Sequence, residues 1–271
     1  MTSKSQQRGF SLTETLMAVG TLAIGLTFIA GTFLTGIYFA TFSTERTIAE
    51  VAAAEALAKI QIFGFDDTDS LSSSRCVDYN DLAALPDEEW RYPSVAGIGK
   101  QYSWAAVCRR VADGNGGSHD HPRVGSDLVQ CTVFVSREAG GNLSYWKHPD
   151  GVTDSSLELC DRPRPVRVQI AGSSSGDNVV TIQDAAASAQ ADERTFVSEG
   201  SILVDDATGD LYRVMERSAN RPGDVMLDRD WEGGGLTSST NRWVWVVPPA
   251  ASGGRNPGVA VYQKILRFPG L

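Results

Sequence analysis

Residues 9–44 carry a single charged side chain, Glu14, and from Leu16 to Phe42 the chain holds only apolar residues, Gly, Thr and one Tyr. A run of this length exceeds the roughly 20 residues that a helix needs to cross a bilayer at about 1.5 Å per residue. A carboxylate within a membrane helix costs about 2.5–3.5 kcal/mol at the bilayer centre, so its presence implies a task. A cleavable secretory signal has an apolar core of roughly 7–15 residues that ends at a small-residue cleavage site. The run here is longer and passes into Ser43-Thr44-Glu45-Arg46-Thr47 without such a site, so it is expected to stay attached. Lys4 and Arg8 precede the span, whereas Glu45 and Arg46 cancel just after it. That asymmetry places the first residues in the cytoplasm and the large remainder outside.

The helix is expected to outlast the membrane. Between Thr47 and Phe63 there is no Gly or Pro, and Ala, Glu, Leu, Lys and Gln are strong helix formers. Ala49, Ala52, Ala53, Ala56, Ile60 and Phe63 recur at the spacing of one buried face, with Glu55 and Lys59 as an i,i+4 pair on another side. Gly64 stands where a C-terminal cap belongs. A helix from Phe10 to Phe63 would be roughly 80 Å long.

The leader, the junction and the carboxylate together carry a resemblance. Arg8-Gly9-Phe10-Ser11-Leu12-Thr13-Glu14, a short basic leader and then a long apolar helix, resembles the front end of type IV prepilins and type II secretion pseudopilins over residues 1–64. Ala23-Ile24-Gly25-Leu26 is similar to minor pilins of the pilus-modification type. The resemblance implies that a prepilin peptidase cuts after Gly9 and that Phe10 becomes an N-methylated N-terminus. It further implies that Glu14 pairs with the Phe10 amine of a neighbouring subunit. Two departures stand out: Thr13 occupies a position the family mostly fills with an apolar residue, and Gly20, Gly25, Gly31 and Gly36 appear where many major pilins have a mid-span proline.

The remainder of the 271 residues is acidic, contributing to a formal net charge of −9. Counterion release from nucleic acid needs clustered Lys and Arg, so no nucleic-acid partner is expected. Two period-2 runs, Gln101–Val111 and Asp127–Ser136, read as an antiparallel pair around a Gly-rich loop. Short β-type runs follow at Val166–Ala171, Asn178–Gln183, Arg194–Val204, Asp210–Arg217, Asp224–Leu227, Arg242–Val247 and Val259–Phe268. Turns at Asp206–Gly209 and Arg221–Gly223 punctuate them. Strands at this spacing suggest a small sandwich or barrel, either a separate subdomain or an enlarged head sheet.

Cys76, Cys108, Cys131 and Cys160 all lie beyond the apolar run, where export would permit disulfides. Two bridges are expected. A pairing centred on the Gly-rich loop sets Cys108 nearly opposite Cys131, leaving Cys76 with Cys160; Cys76 with Cys108 and Cys131 with Cys160 is the alternative.

Other constellations read as structure. Asp113, Asn115 and Asp120 supply oxygen ligands of the kind calcium takes, beside His119 and His121. Without the terminal bidentate Glu of an EF-hand, the segment reads as a polar hairpin loop. Gly172–Gly176 fits a G-x-S-x-G pattern, but the next residues read as a strand where a nucleophile elbow needs a helix. Gly233–Gly235 lacks the Lys-Ser/Thr of a phosphate loop, and Asp87, Glu88 and Glu89 read as a solvated turn. Trp243 and Trp245 alternate with Val244 and are expected, with Trp231, in a sheet core, the alternative being an exposed adhesive or glycan-binding patch.

The expected fold is therefore α+β and pilin-like. Residues 1–9 form a leader, 10–64 a transmembrane and spine helix, 65–164 a head with antiparallel strands, and 165–271 a β-rich subdomain. The expected role is that of a minor pilin or pseudopilin, without catalysis or organic cofactor. Its partners would be a prepilin peptidase, other pilins and an inner-membrane assembly platform. It would reside in the inner membrane with its head outside the cytoplasm, then in a pilus or pseudopilus. The alternative is a membrane-anchored extracytoplasmic binding or enzymatic domain on a prepilin-type anchor.

Overall fold

The computed structural model describes residues 11–94, 101–111, 127–138, 143–149, 156–172, 178–184, 191–221, 223–232 and 242–269. It is an α+β chain with one long N-terminal helix followed by an antiparallel β-rich domain, in two compact units, Met1–Thr47 and Ile48–Leu271.

Helix α1 runs Leu12–Phe63, 52 residues. Over residues 12–47 its apolar side chains are exposed: Phe28 is 71% accessible and Leu34 68%. Threonine hydroxyls on this surface turn back on the helix. Thr27, Thr35, Thr41 and Thr44 each donate to the carbonyl four residues earlier, at 2.8–2.9 Å. The helix is long and apolar enough to cross a membrane.

From Ile48 the pattern changes to small residues. Ala49, Ala52, Ala53, Ala56 and Ile60 are buried, as their spacing predicts, and Gly64 ends the helix at φ 69° with its N–H donating to Ile60 O. Small side chains bring this part of α1 close to an antiparallel sheet of order β1 (Val77–Asp78), β3 (Tyr102–Arg110), β4 (Leu128–Arg137) and β13 (Gly258–Arg267). Strand β2 (Arg91–Tyr92) also pairs with β3, and a short helix, α2 (Tyr79–Leu82), follows β1.

The period-2 rule assigns the two faces of this sheet. Trp104, Ala106 and Cys108 of β3 and Val129, Cys131, Val133 and Val135 of β4 face α1, in one cluster with Tyr79 and Trp90. Val107 and Phe134 face the other way, into a cluster with Cys76, Val204, Trp245 and Val247.

Those last residues come from, or adjoin, a closed barrel of order β10-β11-β8-β7-β12-β9. Its strands are β7 (Val166–Gly172), β8 (Val179–Ile182), β9 (Ile202–Asp205), β10 (Leu211–Arg217), β11 (Asp224–Leu227) and β12 (Arg242–Val246). Val168, Ile170, Val180, Leu203, Tyr212, Val225 and Val244 fill it. A two-stranded sheet, β5 (Tyr145–Lys147) with β6 (Glu158–Cys160), stands before it.

The topology departs from a boundary at residue 165. Strand β13 pairs with β4 from Arg267↔Leu128 to Gly258↔Ser136, so the last strand returns to the first sheet and the barrel is an insertion between two neighbours. The head sheet is enlarged and a barrel subdomain is present as well. Arg194–Val204 is also less regular than its composition suggests. Glu193–Phe196 form a 3-10 turn, and strand β9 starts only at Ile202. Asp192 caps the turn by accepting from Arg194 N–H, the local competition that Asp offers a strand.

Candidate functional site

Glu14 lies in the first turn of α1, three residues after Ser11. That is the S-x-x-E spacing of a capping box, a local reason for a carboxylate at this place. Among the described residues no hydrogen bond or ion pair to its carboxylate is seen, and the surrounding surface is apolar: Leu12 is 80% and Met17 70% accessible. A charge on such a surface suits a partner that brings the opposite charge. Gly9 and Phe10 lie outside the described residues.

The second charged feature of α1 is Lys59. Its spacing with Glu55 predicts an i,i+4 pair; the pair is present at 2.8 Å, and Lys59 is buried. The ammonium also meets Glu89 Oε2 at 2.9 Å and donates to Glu89 O at 2.8 Å. Burial pushes the Glu55 carboxyl up, but hydrogen bonds from Lys59 and Ser94 outweigh it and hold it below the usual carboxylate range. Thus Asp87–Trp90 is a 3-10 turn, and Glu89 is bound by the helix rather than solvated on its own.

All four cysteines are thiols. Cys108 and Cys131 are direct cross-strand partners with sulfurs 3.1 Å apart. Cys76 lies on the opposite face of the sheet, with its Sγ 3.8 Å from Asp205 O. Cys160, in β6, directs its Sγ to Arg162 O at 3.1 Å.

Asp113, Asn115 and Asp120, with His119 and His121, lie outside the described residues, as does Gly233–Gly235. Among the described residues no cluster of three or more His, Cys, Asp or Glu is placed to hold a metal ion. Residues 173–176 of the Gly172 pattern lie outside the described residues; β7, which ends at Gly172, pairs antiparallel with β8, with Gly172 opposite Val180. A strand thus follows where a nucleophile elbow requires a helix.

Between the barrel and the head sheet lies a network of buried ion pairs and hydrogen bonds. Arg164 pairs with Asp78 at 2.8 Å and Arg167 with Asp206 at 3.0 Å, all four largely buried. Trp245 Nε1–H donates to Asp206 Oδ1 at 2.7 Å, and the Arg167 guanidinium stands 4.8 Å from the Trp243 ring centre. The Trp-Val-Trp alternation is therefore real, but its rings face this seam while Val244 enters the barrel. Trp231 is buried against Tyr212, with stacked rings 4.5 Å apart. Burial pushes the Asp206 carboxyl up, and Arg167 and Trp245 pull it back.

His148 lines the same seam. Arg167 N–H donates to its Nε2 at 2.8 Å, so the proton sits on Nδ1, which donates to Ser156 O at 3.0 Å. Burial lowers its pKa below the usual histidine value. Both ring nitrogens are thus committed, which leaves no lone pair for general-base work or metal binding. The adjoining cleft holds about 30 Å³, room for a water and too little for an organic substrate.

The polar pairing of the seam is not readable from sequence, because the partners are remote: Arg164 with Asp78, Arg167 with Asp206, and Arg109 with Ala207 O. One local signal was available. The Asp205–Asp210 turn needs Gly209 at φ 76°, where a Cβ would meet the Gln130 side chain of β4 at 2.8 Å, so that turn is pressed against the head sheet. No protein-family model, curated protein or solved structure matches this chain.

Proposed function

We propose that this chain is a minor type IV pilin or type II secretion pseudopilin. A prepilin peptidase cuts after Gly9, Phe10 is N-methylated, and the subunit waits in the inner membrane with its head outside the cytoplasm. Other pilins and an inner-membrane platform then take it into a pilus or pseudopilus. The reading assigns it no catalytic role and no cofactor.

One observation carries this reading: a long, exposed apolar helix bears a lone carboxylate in its first turn, four residues after Phe10. Such a carboxylate is costly in an apolar medium unless a cation meets it with good geometry. The amine of a neighbouring subunit's Phe10 is a cation of the right kind. The same helix ends in a buried alanine face, so α1 serves both as the apolar segment and as part of the head core.

A second reading, an anchored extracytoplasmic binding or enzymatic domain, is favoured by the barrel, a self-filled unit inserted between β4 and β13 that the leader and helix do not explain. Glu14→Ala separates the two. The filament subunit is exported and folded but loses incorporation into sheared filaments or pseudopili, by about tenfold or more for one unpaired buried charge. The anchored domain tolerates the change. Mass analysis of the mature N-terminus tests the first step: a chain starting at Phe10 with one added methyl supports the filament reading, and an intact Met1 sinks it.

A further inference from the structure

We infer that Cys108 and Cys131 form a cross-strand disulfide in the oxidised protein, and that Cys76 and Cys160 remain thiols. This is independent of the filament reading, since it asks only that the folding chain meet a disulfide donor.

The register carries the inference. Val111 N–H donates to Leu128 O and Glu138 N–H to Gln101 O. Hydrogen-bonded pairs between β3 and β4 therefore fall at odd positions of β3, and Cys108↔Cys131 is a non-hydrogen-bonded pair. In such pairs the Cα atoms approach to about 4.5 Å and the side chains are closest, within the ~4.4–6.8 Å that a disulfide spans. Both sulfurs face α1 and are fully buried.

The same register excludes bridges from this pair to Cys76 or Cys160, and those two direct their sulfurs to different carbonyls, Cys76 to Asp205 O and Cys160 to Arg162 O. On β1 it is Val77, not Cys76, that stands opposite Cys108. Adjacent residues of a strand point to opposite faces, and Cys76 lies among Val107, Phe134 and Trp245 on the barrel side. A Cys76–Cys108 bridge would have to pass through the sheet. Cys131 faces α1, whereas Cys160 belongs to the separate β5–β6 pair.

The chemistry is thiol–disulfide exchange. One cysteine thiolate attacks glutathione disulfide and expels a glutathione thiolate. The second cysteine thiolate then attacks the mixed disulfide and expels the other. The cysteine pair is oxidised, the donor is reduced to two thiols, and the two cysteine protons end on those thiols. Burial holds the Cys108 thiol well above its ordinary pKa in the folded head, so the exchange belongs to the stage before α1 covers this face.

The test refolds the full chain in detergent micelles with glutathione disulfide, alkylates it under denaturing conditions and maps the labels by peptide mass. The expected result is two alkyl groups, on Cys76 and Cys160, and one cross-linked peptide pair joining Cys108 to Cys131. Four labels, or a bridge that uses Cys76 or Cys160, overturns the inference.

Discussion

The head sheet shows two unlike faces. Against α1 it presents Trp104, Cys108, Val133 and Val135 to a row of alanines, a contact dominated by apolar packing. Against the barrel it presents Val107 and Phe134 inside a frame of ion pairs, Arg164–Asp78 and Arg167–Asp206, with Trp245 bonded to the same Asp206. Burial without direction holds the first face, and its energy follows the area removed from water. Directional bonds set the register of the second, as an inserted subdomain tethered at both ends requires. Trp104→Ala is the strongest challenge to the first face. Trp104 is 1% accessible, packs 4.7 Å from the Trp90 ring and donates to Glu89 O. A loss of about 3–5 kcal/mol is expected, read by denaturant unfolding of the head. A loss below about 1 kcal/mol would mean that α1 and the sheet do not share one core.

On the barrel face the corresponding change is Asp206→Ala, which removes the acceptor common to Arg167 and Trp245. Taking one partner from a buried pair costs about 3 kcal/mol, reduced here because the buried aspartate already pays for its desolvation. The expected loss is about 2 kcal/mol, with the barrel transition shifted more than that of the head sheet. Equal loss in both would show that the seam is part of a single cooperative core and would weaken the contrast between the faces.

The two faces were also unequally legible in the sequence. Ala49, Ala52, Ala53, Ala56 and Ile60 declare the helix side by spacing alone, because helix periodicity is local. The strands of the barrel, and the opposition of Cys108 to Cys131, were readable from alternation and loop position. Three things were not. That β13 closes the head sheet depends on a pairing with β4 across the whole barrel, which no local pattern encodes. The burial of Lys59 depends on a second carboxylate, Glu89, that lies in a different element. The seam needs Asp78, Arg164, Arg167 and Asp206 together, and charged residues in separate elements read as solvated until the fold joins them. For the candidate site the balance reverses. Glu14 was visible as a break in an apolar run, whereas the carboxylate's partner is absent from the chain's own described contacts.

The smallest expected effect is a pH dependence that only the barrel face should show. His148 is neutral, accepts from Arg167 N–H and donates to Ser156 O; Arg164, Arg167, Arg75, Asp78, Asp81 and Asp206 surround it or line the same cleft. Its folded pKa lies below the value of about 6.5 for a free histidine. The unfolded chain therefore binds more protons below that pH, and stability falls as the pH drops from about 6.5 through the folded pKa. Protonating Nε2 removes the acceptor for Arg167 N–H and adds a cation beside two arginines, so the loss falls on the seam. Unfolding midpoints measured between pH 7.5 and 5 should decline for the native chain and flatten in His148→Gln, whose amide can both accept and donate. Glu55, held low by Lys59, contributes only at more acidic pH, because a depressed carboxyl loses its stabilisation as pH falls below the ordinary range. A slope in the pH 5–7 window that survives His148→Gln would assign the acid sensitivity elsewhere and leave the seam, like the helix face, indifferent to protons.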